Sequence, residues 1–346
     1  MKSLIDKLDT LHILSKDEFV RLISEHTEAD SQYLFERARL ARQKYFGSSV
    51  YLRGLIEISS YCHNDCLYCG IRHSNVAAER YRLTDEQILQ CCEQGYRLGF
   101  RTFVLQGGED SKFTDERLTK LIQDIRHSYP ACAITLSLGE RKRESYLRLF
   151  EAGADRYLLR HETANAGHYG QLHPSWMSHA KRMQCLQDLK EIGYQVGTGF
   201  MVGSPFQTAE HLAEDLLFIA RFQPQMVGIG PYIPHHATPF AKQPAGTVEQ
   251  TLFLLGLLRV MMPQLLLPAT TALGTLDPQG REKGLLAGAN VIMPNLSPAD
   301  DRSKYMIYDN KLATGAESAE GLAELNSIIE SVGYHVEQSR GDAPTQ

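Results

Sequence analysis

Short apolar runs alternate with amphipathic segments along most of this 346-residue chain. Apolar runs of four to eight residues are typical of buried strands, whereas apolar positions repeating every three to four residues are typical of helices. The pattern predicts eight strands, at residues 54–59, 102–106, 133–138, 156–160, 195–201, 226–230, 265–270 and 290–293. It predicts helices at 85–98, 116–127, 143–151, 179–192, 209–222, 248–262 and 281–287.

Strands that alternate with helices favour an α/β fold with a parallel sheet. Eight such units predict a complete (βα)8 TIM-type barrel over residues 47–315, with a doubly wound open sheet as the alternative. Over residues 1–46 the pattern predicts two N-terminal helices that pack on the barrel. Residues 316–346 predict a C-terminal helix at 319–331 and a flexible polar tail that ends in GDAPTQ.

Charge and hydropathy narrow the class of protein. The chain has 36 basic and 41 acidic residues without a basic block, so we expect no nucleic-acid partner. The longest apolar run, at 252–262, is short and contains Arg259, so we expect no membrane span. The first 19 residues have no signal-peptide core, and the seven cysteines are odd in number. We therefore expect a protein of the reducing cytoplasm.

Cys62, Cys66 and Cys69 follow the first predicted strand with the spacing C-x3-C-x2-C. Cysteine thiolates are the usual ligands of iron–sulfur clusters, and three of them can bind three irons of a cubane. The fourth iron is then open to a small molecule. A zinc site completed by His63 or His73 is the alternative, followed by three inert cysteines. The other four cysteines are expected to be small buried apolar residues, namely Cys91, Cys92, Cys132 and Cys185.

Small, hydroxyl and charged residues recur where the other predicted strands end. Because chemistry in such barrels collects at the carboxyl ends of the strands, these residues predict one large pocket. A surface ion pair is the alternative for the charged group after the fourth strand. The residues concerned are Gly107, Gly108 and Glu109, Ser137, Arg160 and Glu162, and Thr270 and Thr271.

The motif C-x3-C-x-aromatic-C, followed by GGE after the second strand, resembles the radical S-adenosylmethionine (SAM) superfamily. The segments LSLGE, YLLRHETAN, MVGSPFQT, GIGPYIPH, PATTALGT and GANVIMPN resemble one family of its biotin-synthase-like branch, the FeFe-hydrogenase H-cluster maturase HydE. This resemblance extends over residues 51–298 and supports the barrel.

The resemblance implies one 4Fe–4S cluster held by the three motif cysteines, and SAM as the second cofactor. Reductive cleavage of SAM would give a 5′-deoxyadenosyl radical. Gly107, Gly108 and Glu109 would line the SAM amino group, Glu162 would bind the ribose and Arg182 the carboxylate. The remaining implied cofactor-binding residues are Tyr68 and Gly70 at the adenine, with Ser137 and Arg160 nearby. No cysteine follows Cys185, so we expect a single cluster.

The resemblance also implies a small anionic iron complex that carries CO, cyanide and cysteine as substrate. Other hydrogenase maturases and an electron donor are the implied partners. The predicted substrate residues are Arg53, Thr270, Thr271, Met201, Met293 and Tyr305. Arg53 is the most specific indication of an anion inside the barrel, with an ion pair to Glu57 as the alternative.

Two further interpretations compete with this one. A methylornithine-synthase-like radical SAM mutase shares the expected architecture, and a non-enzymatic iron–sulfur carrier needs the cysteines alone. Biotin synthase itself is disfavoured, because the places of its second cluster's ligands fall on Val104, Thr135 and Gly197, which cannot bind iron.

Overall fold

The computed structural model describes residues 1–344; Thr345 and Gln346, at the end of the predicted flexible tail, lie outside the described residues. The helices are α1 Lys2–Leu11, α2 Lys16–Glu25, α3 Glu28–Phe46, α4 Asp85–Arg97, α5 Asp115–Ser128, α6 Arg143–Glu151, α7 Ala166–Leu172, α8 His179–Ile192, α9 Ala209–Phe222, α10 Val248–Met261, α11 Thr271–Leu276, α12 Gly280–Leu286, α13 Ala299–Arg302 and α14 Leu322–Ser331. The strands are β1 Ser49–Leu52, β2 Gly54–Ser59, β3 Thr102–Gly107, β4 Ala133–Ser137, β5 Arg156–Leu158, β6 Gln195–Thr198, β7 Met201–Val202, β8 Met226–Val227, β9 Gly230–Pro231, β10 Val291–Ile292 and β11 His335–Glu337.

The predicted α/β fold is confirmed. β2, β3, β4, β5, β6 and β8 form a parallel sheet in that order. Parallel bridges continue it from Met226 to Leu266 and from Pro268 to Val291, and another joins Asn295 to Leu55 of β2. The strands therefore close into a ring. Helices follow the strands, as the alternating pattern predicts.

The seventh predicted strand, at 265–270, is reduced to bridges. Pro268 has no N–H and cannot donate to a ladder, which keeps this side of the ring short. The fifth and sixth predicted strands are each split in two. Gly199 and Gly228 meet at these breaks so closely that a Cβ on Gly199 would lie 1.9 Å from the Gly228 carbonyl oxygen.

The N-terminal extension has three helices, which corrects the prediction of two. Ser15 forms a capping box at the start of α2, and Thr27 forms one at the start of α3. Each of these polar residues therefore begins a new helix. Residue His26 between them has an extended backbone. α3 packs on α10, which explains why α10 is buried on nearly every side. Within residues 1–344 no helix combines the length and apolar character that crossing a membrane requires.

The expected flexible tail is wrong as far as Pro344. β11 pairs in parallel with β1, with Val336 opposite Val50. Beyond it, Asp342 Oδ1 lies 2.5 Å from Arg156 Nη2, at the amino end of β5. Arg340 Nη2 binds Asp155 Oδ1 at 2.9 Å. These ion pairs hold a polar sequence in place across the amino ends of the barrel strands, opposite the cysteines.

Candidate active site

A cavity of about 410 Å³ opens at the carboxyl ends of the barrel strands. Since the strands are parallel, their ends bring side chains that are far apart in sequence to one rim. Nearly all the residues predicted for cluster, cofactor and substrate line it: Cys62, Cys66, Tyr68, Cys69, Gly107, Gly108, Glu109, Ser137, Arg160, Glu162, Arg182, Met201, Thr270, Thr271, Met293 and Tyr305. Gly70 and Arg53 are the exceptions.

The cysteine loop follows β2 and is fixed by backbone bonds on three sides. The Glu109 amide donates to Cys62 Sγ at 3.4 Å, and the Leu67 amide donates to the Leu172 carbonyl at 3.0 Å. The Gly70 amide donates to the Ile307 carbonyl at 2.9 Å, behind the wall of the cavity. The three thiols are thus presented to the cavity by an ordered loop.

The chemistry of the three thiols fits a metal cluster. Burial raises the pKa of Cys62 and of Cys66, and it raises the pKa of Cys69 to about 12. Burial thus disfavours the thiolate form unless a bound metal stabilises it. A cluster at this site would supply that stabilisation.

The spacing of the sulfurs argues against the zinc alternative. Three sulfurs on one tetrahedral zinc lie about 3.8 Å apart, given zinc–sulfur bonds of about 2.3 Å. Among the described residues, three potential metal ligands converge within 4.8 Å of one another only at His235, His236 and Asp309. The motif cysteines do not form such a group, so at least two of their sulfurs lie more than 4.8 Å apart.

Two glycines are required by close approach in this wall. A Cβ on Gly108 would lie 2.3 Å from the Tyr61 carbonyl oxygen and 2.7 Å from Cys62 Cβ. A Cβ on Gly70 would lie 2.1 Å from the Met306 carbonyl oxygen. Gly108 therefore lets the turn after β3 pack directly on the cysteine loop. Gly70 lets the loop at 305–311 do the same from the other side.

Arg160 and Glu162 carry buried polar atoms that point to a ligand. Glu162 has φ +64°, a left-handed conformation that is unfavourable for a side chain of this kind. Arg160 Nη2 lies 3.4 Å from Glu162 Oε2, and neither atom has a hydrogen-bond partner within residues 1–344. Because buried polar atoms are nearly always paired, these atoms indicate a polar molecule in the cavity. The alternative of a surface ion pair holds in part: Arg160 and Glu162 do pair, but Glu162 is buried in the wall of the cavity.

Arg182 is held by protein partners while it faces the cavity. Its Nε donates to Glu140 Oε1 at 2.7 Å, and its Nη1 donates to the Arg160 carbonyl at 2.7 Å. Burial by itself lowers the pKa of Arg182, but the neighbouring Tyr169 and Glu140 raise it overall. Arg182 is therefore a permanent, positioned cation beside the cysteines.

The predicted substrate residues differ in how free they are. Thr270 Oγ1 is buried and has no hydrogen-bond partner in the described part of the chain. The Thr271 hydroxyl, by contrast, donates to Glu317 Oε2 at 2.7 Å, and Glu317 is paired with Arg281. Tyr305 is buried, which raises its pKa well above the usual value and keeps the phenol neutral. Thr270 is the donor best placed to meet a ligand.

The position of Arg53 corrects the prediction of a substrate-binding role. Arg53 is fully buried at the amino end of β2, where Nη1 contacts Met226 Sδ at 2.8 Å and Nη2 donates to the Gly341 carbonyl at 3.3 Å. Met226 lines the cavity, and Arg53 lies behind it. The alternative, an ion pair with Glu57, is also wrong, because Glu57 is bound by another residue. Arg53 comes directly before β2, so it lies at the amino ends of the strands, opposite the cysteines.

The sequence analysis missed a buried ion pair in the cavity wall. Glu57 is completely buried on β2, with Oε1 2.8 Å from Lys311 Nζ and Oε2 accepting from Asn295 Nδ2 at 2.8 Å. An acidic residue inside a predicted buried strand was the available signal for Glu57. Lys311 lies in a loop without periodicity, and only the fold brings it to β2.

The comparisons with known proteins agree with this site. The model of the radical SAM superfamily matches residues 56–219, which include the three cysteines and Glu162. The chain is 41% identical over 330 residues to the FeFe-hydrogenase maturase subunit HydE of Thermotoga maritima, which covers 94% of each protein. It is 29% identical to the 3-methylornithine synthase of Methanosarcina acetivorans, over 86% of this chain and 84% of the relative.

A solved structure of methylornithine synthase superposes with a TM-score of 0.85 at 27% identity, and the match covers 97% of this chain and 98% of that one. This similarity supports the barrel that the bridges close. The cysteine spacing, the wall of the cavity and the 41% identity to HydE lead to one assignment. The chain belongs to the radical SAM superfamily and, within it, to the family of the FeFe-hydrogenase maturase subunit HydE.

Proposed function

We propose that the chain is a cytoplasmic radical SAM enzyme of FeFe-hydrogenase H-cluster assembly, acting with other hydrogenase maturases. Its substrate would be a small anionic iron complex with a cysteine ligand. The observation that carries the proposal is a group of buried polar atoms in the cysteine-lined cavity that have no hydrogen-bond partner among residues 1–344, on Arg160, Glu162 and Thr270. The seven cysteines are all unpaired thiols, which fits a reducing compartment.

The residues around the cysteines divide the binding of SAM between them. Cys62, Cys66 and Cys69 would hold a 4Fe–4S cluster, which supplies one electron to SAM and so generates the 5′-deoxyadenosyl radical. Glu162 Oε2 is free to accept hydrogen bonds from the ribose hydroxyls. Arg182, fixed by Glu140, offers positive charge to the SAM carboxylate.

The far side of the cavity suits a small anion. Thr270 provides a hydrogen-bond donor there, and the charge of Glu57 is already neutralised by Lys311 at 2.8 Å. Met201, Met293 and Tyr305 form walls that exclude water around the reacting atoms. A neutral wall with a few donors can bind an anionic complex without attracting a second cation.

The test is anaerobic reconstitution of the cluster followed by incubation with SAM and dithionite. We expect 5′-deoxyadenosine, formed faster when an iron–cysteine complex is added, and a smaller acceleration in the Thr270→Val variant. A protein with a full cluster that forms no 5′-deoxyadenosine would be a non-enzymatic carrier. Rearrangement of free lysine by the wild-type protein would instead establish the methylornithine-synthase alternative.

A further inference from the structure

Three buried side chains form a hydrogen-bonded group beside the cavity wall that carries Glu162. His161 Nδ1 lies 2.8 Å from Thr198 Oγ1 at the end of β6, and His161 Nε2 lies 3.2 Å from Asp215 Oδ1 on α9. His161 and Asp215 are completely buried, and neither of them lines the cavity. We refer to Thr198, His161 and Asp215 as the His161 network.

His161 separates two residues of the cavity wall. Arg160 and Glu162 line the cavity, whereas the His161 ring lies among aromatic rings outside it, with centroid distances of 5.7 Å to Phe200 and 4.8 Å to Phe218. Successive side chains of an extended segment point to opposite faces. Anchoring the ring of His161 therefore fixes the peptide that carries both wall residues.

Asp215 binds the backbone and side chain on both sides of Glu162. Its Oδ1 accepts from the His161 ring and also from the Ala164 amide, the latter at 2.5 Å. Between these contacts, the Glu162 amide donates to the Gly199 carbonyl at 3.0 Å. Glu162 has φ +64°, and a residue other than glycine keeps such a conformation only where its surroundings impose it. The His161 network supplies that constraint.

Packing alone does not explain a carboxylate at this place. A buried pair of charged or polar groups is often no better for stability than apolar side chains of similar volume. Asp215 Oδ2 is moreover buried without a hydrogen-bond partner among residues 1–344, which is unfavourable. Hydrogen bonds, unlike apolar contacts, fix a direction. A role in orienting Glu162 therefore accounts for Asp215 better than core packing does.

We propose that His161 and Asp215 are positioning residues, which hold Glu162 in the left-handed conformation from which its carboxylate binds the ribose hydroxyls of SAM. The inference rests on the proposed function, because it takes Glu162 as the acceptor for the ribose. It follows that part of the affinity for SAM depends on a carboxylate that does not touch SAM. That part exists only when the ribose hydroxyls are present to be bound.

Equilibrium dialysis of SAM against the cluster-loaded protein measures this affinity without turnover. The second probe is an analogue of SAM that lacks the 2′ and 3′ hydroxyls. We expect Asp215→Leu, which is similar in volume but cannot accept a hydrogen bond, to raise the Kd for SAM about tenfold and that for the analogue by less than about twofold. In Asp215→Asn the amide oxygen can still accept from His161 and Ala164, so the Kd for SAM should stay within about twofold of the wild type.

Two further variants separate positioning from a general loss of stability. Leu216→Ala removes a buried side chain from the same helix without touching the His161 network, so the Kd for SAM should stay within about twofold of the wild type. Thr198→Val nearly keeps the shape of the side chain but removes the hydroxyl that meets His161 Nδ1. It should raise the Kd for SAM about threefold and leave that for the analogue unchanged, and it tests the network even if Asp215→Leu does not fold.

Wild-type affinity for SAM in both Asp215→Leu and Thr198→Val would overturn the inference. Equal losses for SAM and for the analogue would also overturn it, since Asp215 would then support only the fold. A wild-type protein that binds the analogue as tightly as SAM would refute the ribose-binding role of Glu162 in the proposed function, and the inference with it. A wild type that distinguishes the two probes, with no response in the variants, would refute the inference alone.

Discussion

Replacing Arg182 separates its structural role from its expected role in binding SAM. Arg182→Met keeps the length and apolar stem of the side chain but removes the charge. It leaves Glu140, whose side chain is 7% exposed, without its bond of 2.7 Å to Nε. The partner variant Glu140→Gln removes the opposite charge, and the double variant removes both.

The structure sets the size of the expected effect. Breaking a buried ion pair from one side costs about 3–5 kcal/mol, because the other charge stays buried without compensation. Lys181 Nζ lies 3.2 Å from Glu140 Oε2 and retains part of the attraction. We therefore expect Arg182→Met to lower the free energy of unfolding by about 3 kcal/mol, at the lower end of that range. In the double variant we expect about 2 kcal/mol of this loss to be recovered.

Two measurements are needed on the four proteins of this cycle. Urea unfolding of the cluster-free proteins, followed by circular dichroism, gives the free energies. Equilibrium binding of SAM to the cluster-loaded proteins gives the affinity. We expect the stability of Arg182→Met to recover when Glu140→Gln is added, but the affinity for SAM to stay low in the double variant.

Either of two results would refute this reasoning. A loss below about 1 kcal/mol in Arg182→Met would show that the buried pair does not hold this region of the site together. Recovery of SAM binding together with stability in the double variant would show that Arg182 acts on SAM only through the fold.

Three further predictions follow from individual contacts. Cys66→Ala should lose the iron of the reconstituted protein while Cys185→Ala, on α8 away from the cavity, keeps it; equal iron contents would show that the ligands are misassigned. Burial lowers the pKa of His173 to about 3, so the folded protein does not take up the proton that the unfolded chain binds as the pH falls below about 6.5. Stability should therefore fall by about 2 kcal/mol between pH 7 and pH 5 on account of this residue, and His173→Gln should flatten that part of the profile in urea titrations at several pH values. Asp342→Asn should lower the free energy of unfolding by about 1 kcal/mol, since Asp342 is partly exposed beside Arg156, and an unchanged urea midpoint would show that the C-terminal segment is not held by this ion pair.

The helices and the first strands follow closely from the local pattern. The predicted bounds of α6, α8, α9 and β2 agree with the structure residue for residue. These elements combine a clear apolar period with strong end signals, such as Thr208, which caps α9. Where the ends of an element depend on its neighbours, as in the short strands at 226–231 and 265–270, the pattern predicts a longer strand than the ring allows.

The site could be predicted to a similar degree and for a similar reason. Residues that follow a strand directly must reach the rim of a parallel barrel, so Glu109, Glu162 and Thr270 were recognisable from their place in the chain. Arg53 precedes its strand, and the same geometry carries it to the opposite end. Lys311 follows no periodic segment, so its approach to Glu57 could not be read from the sequence.

The sequence by itself determined the order of the elements, the three-cysteine motif and the family resemblance, because these depend on local spacing. The tertiary structure alone decided which charges meet: Glu57 with Lys311, Glu140 with Arg182, and Asp342 with Arg156. It also brought Met177 Sδ to 3.9 Å from Cys66 Sγ. Such contacts join segments that are distant along the chain. Closure of the strands into a ring fixes them, and no local pattern of residues contains that information.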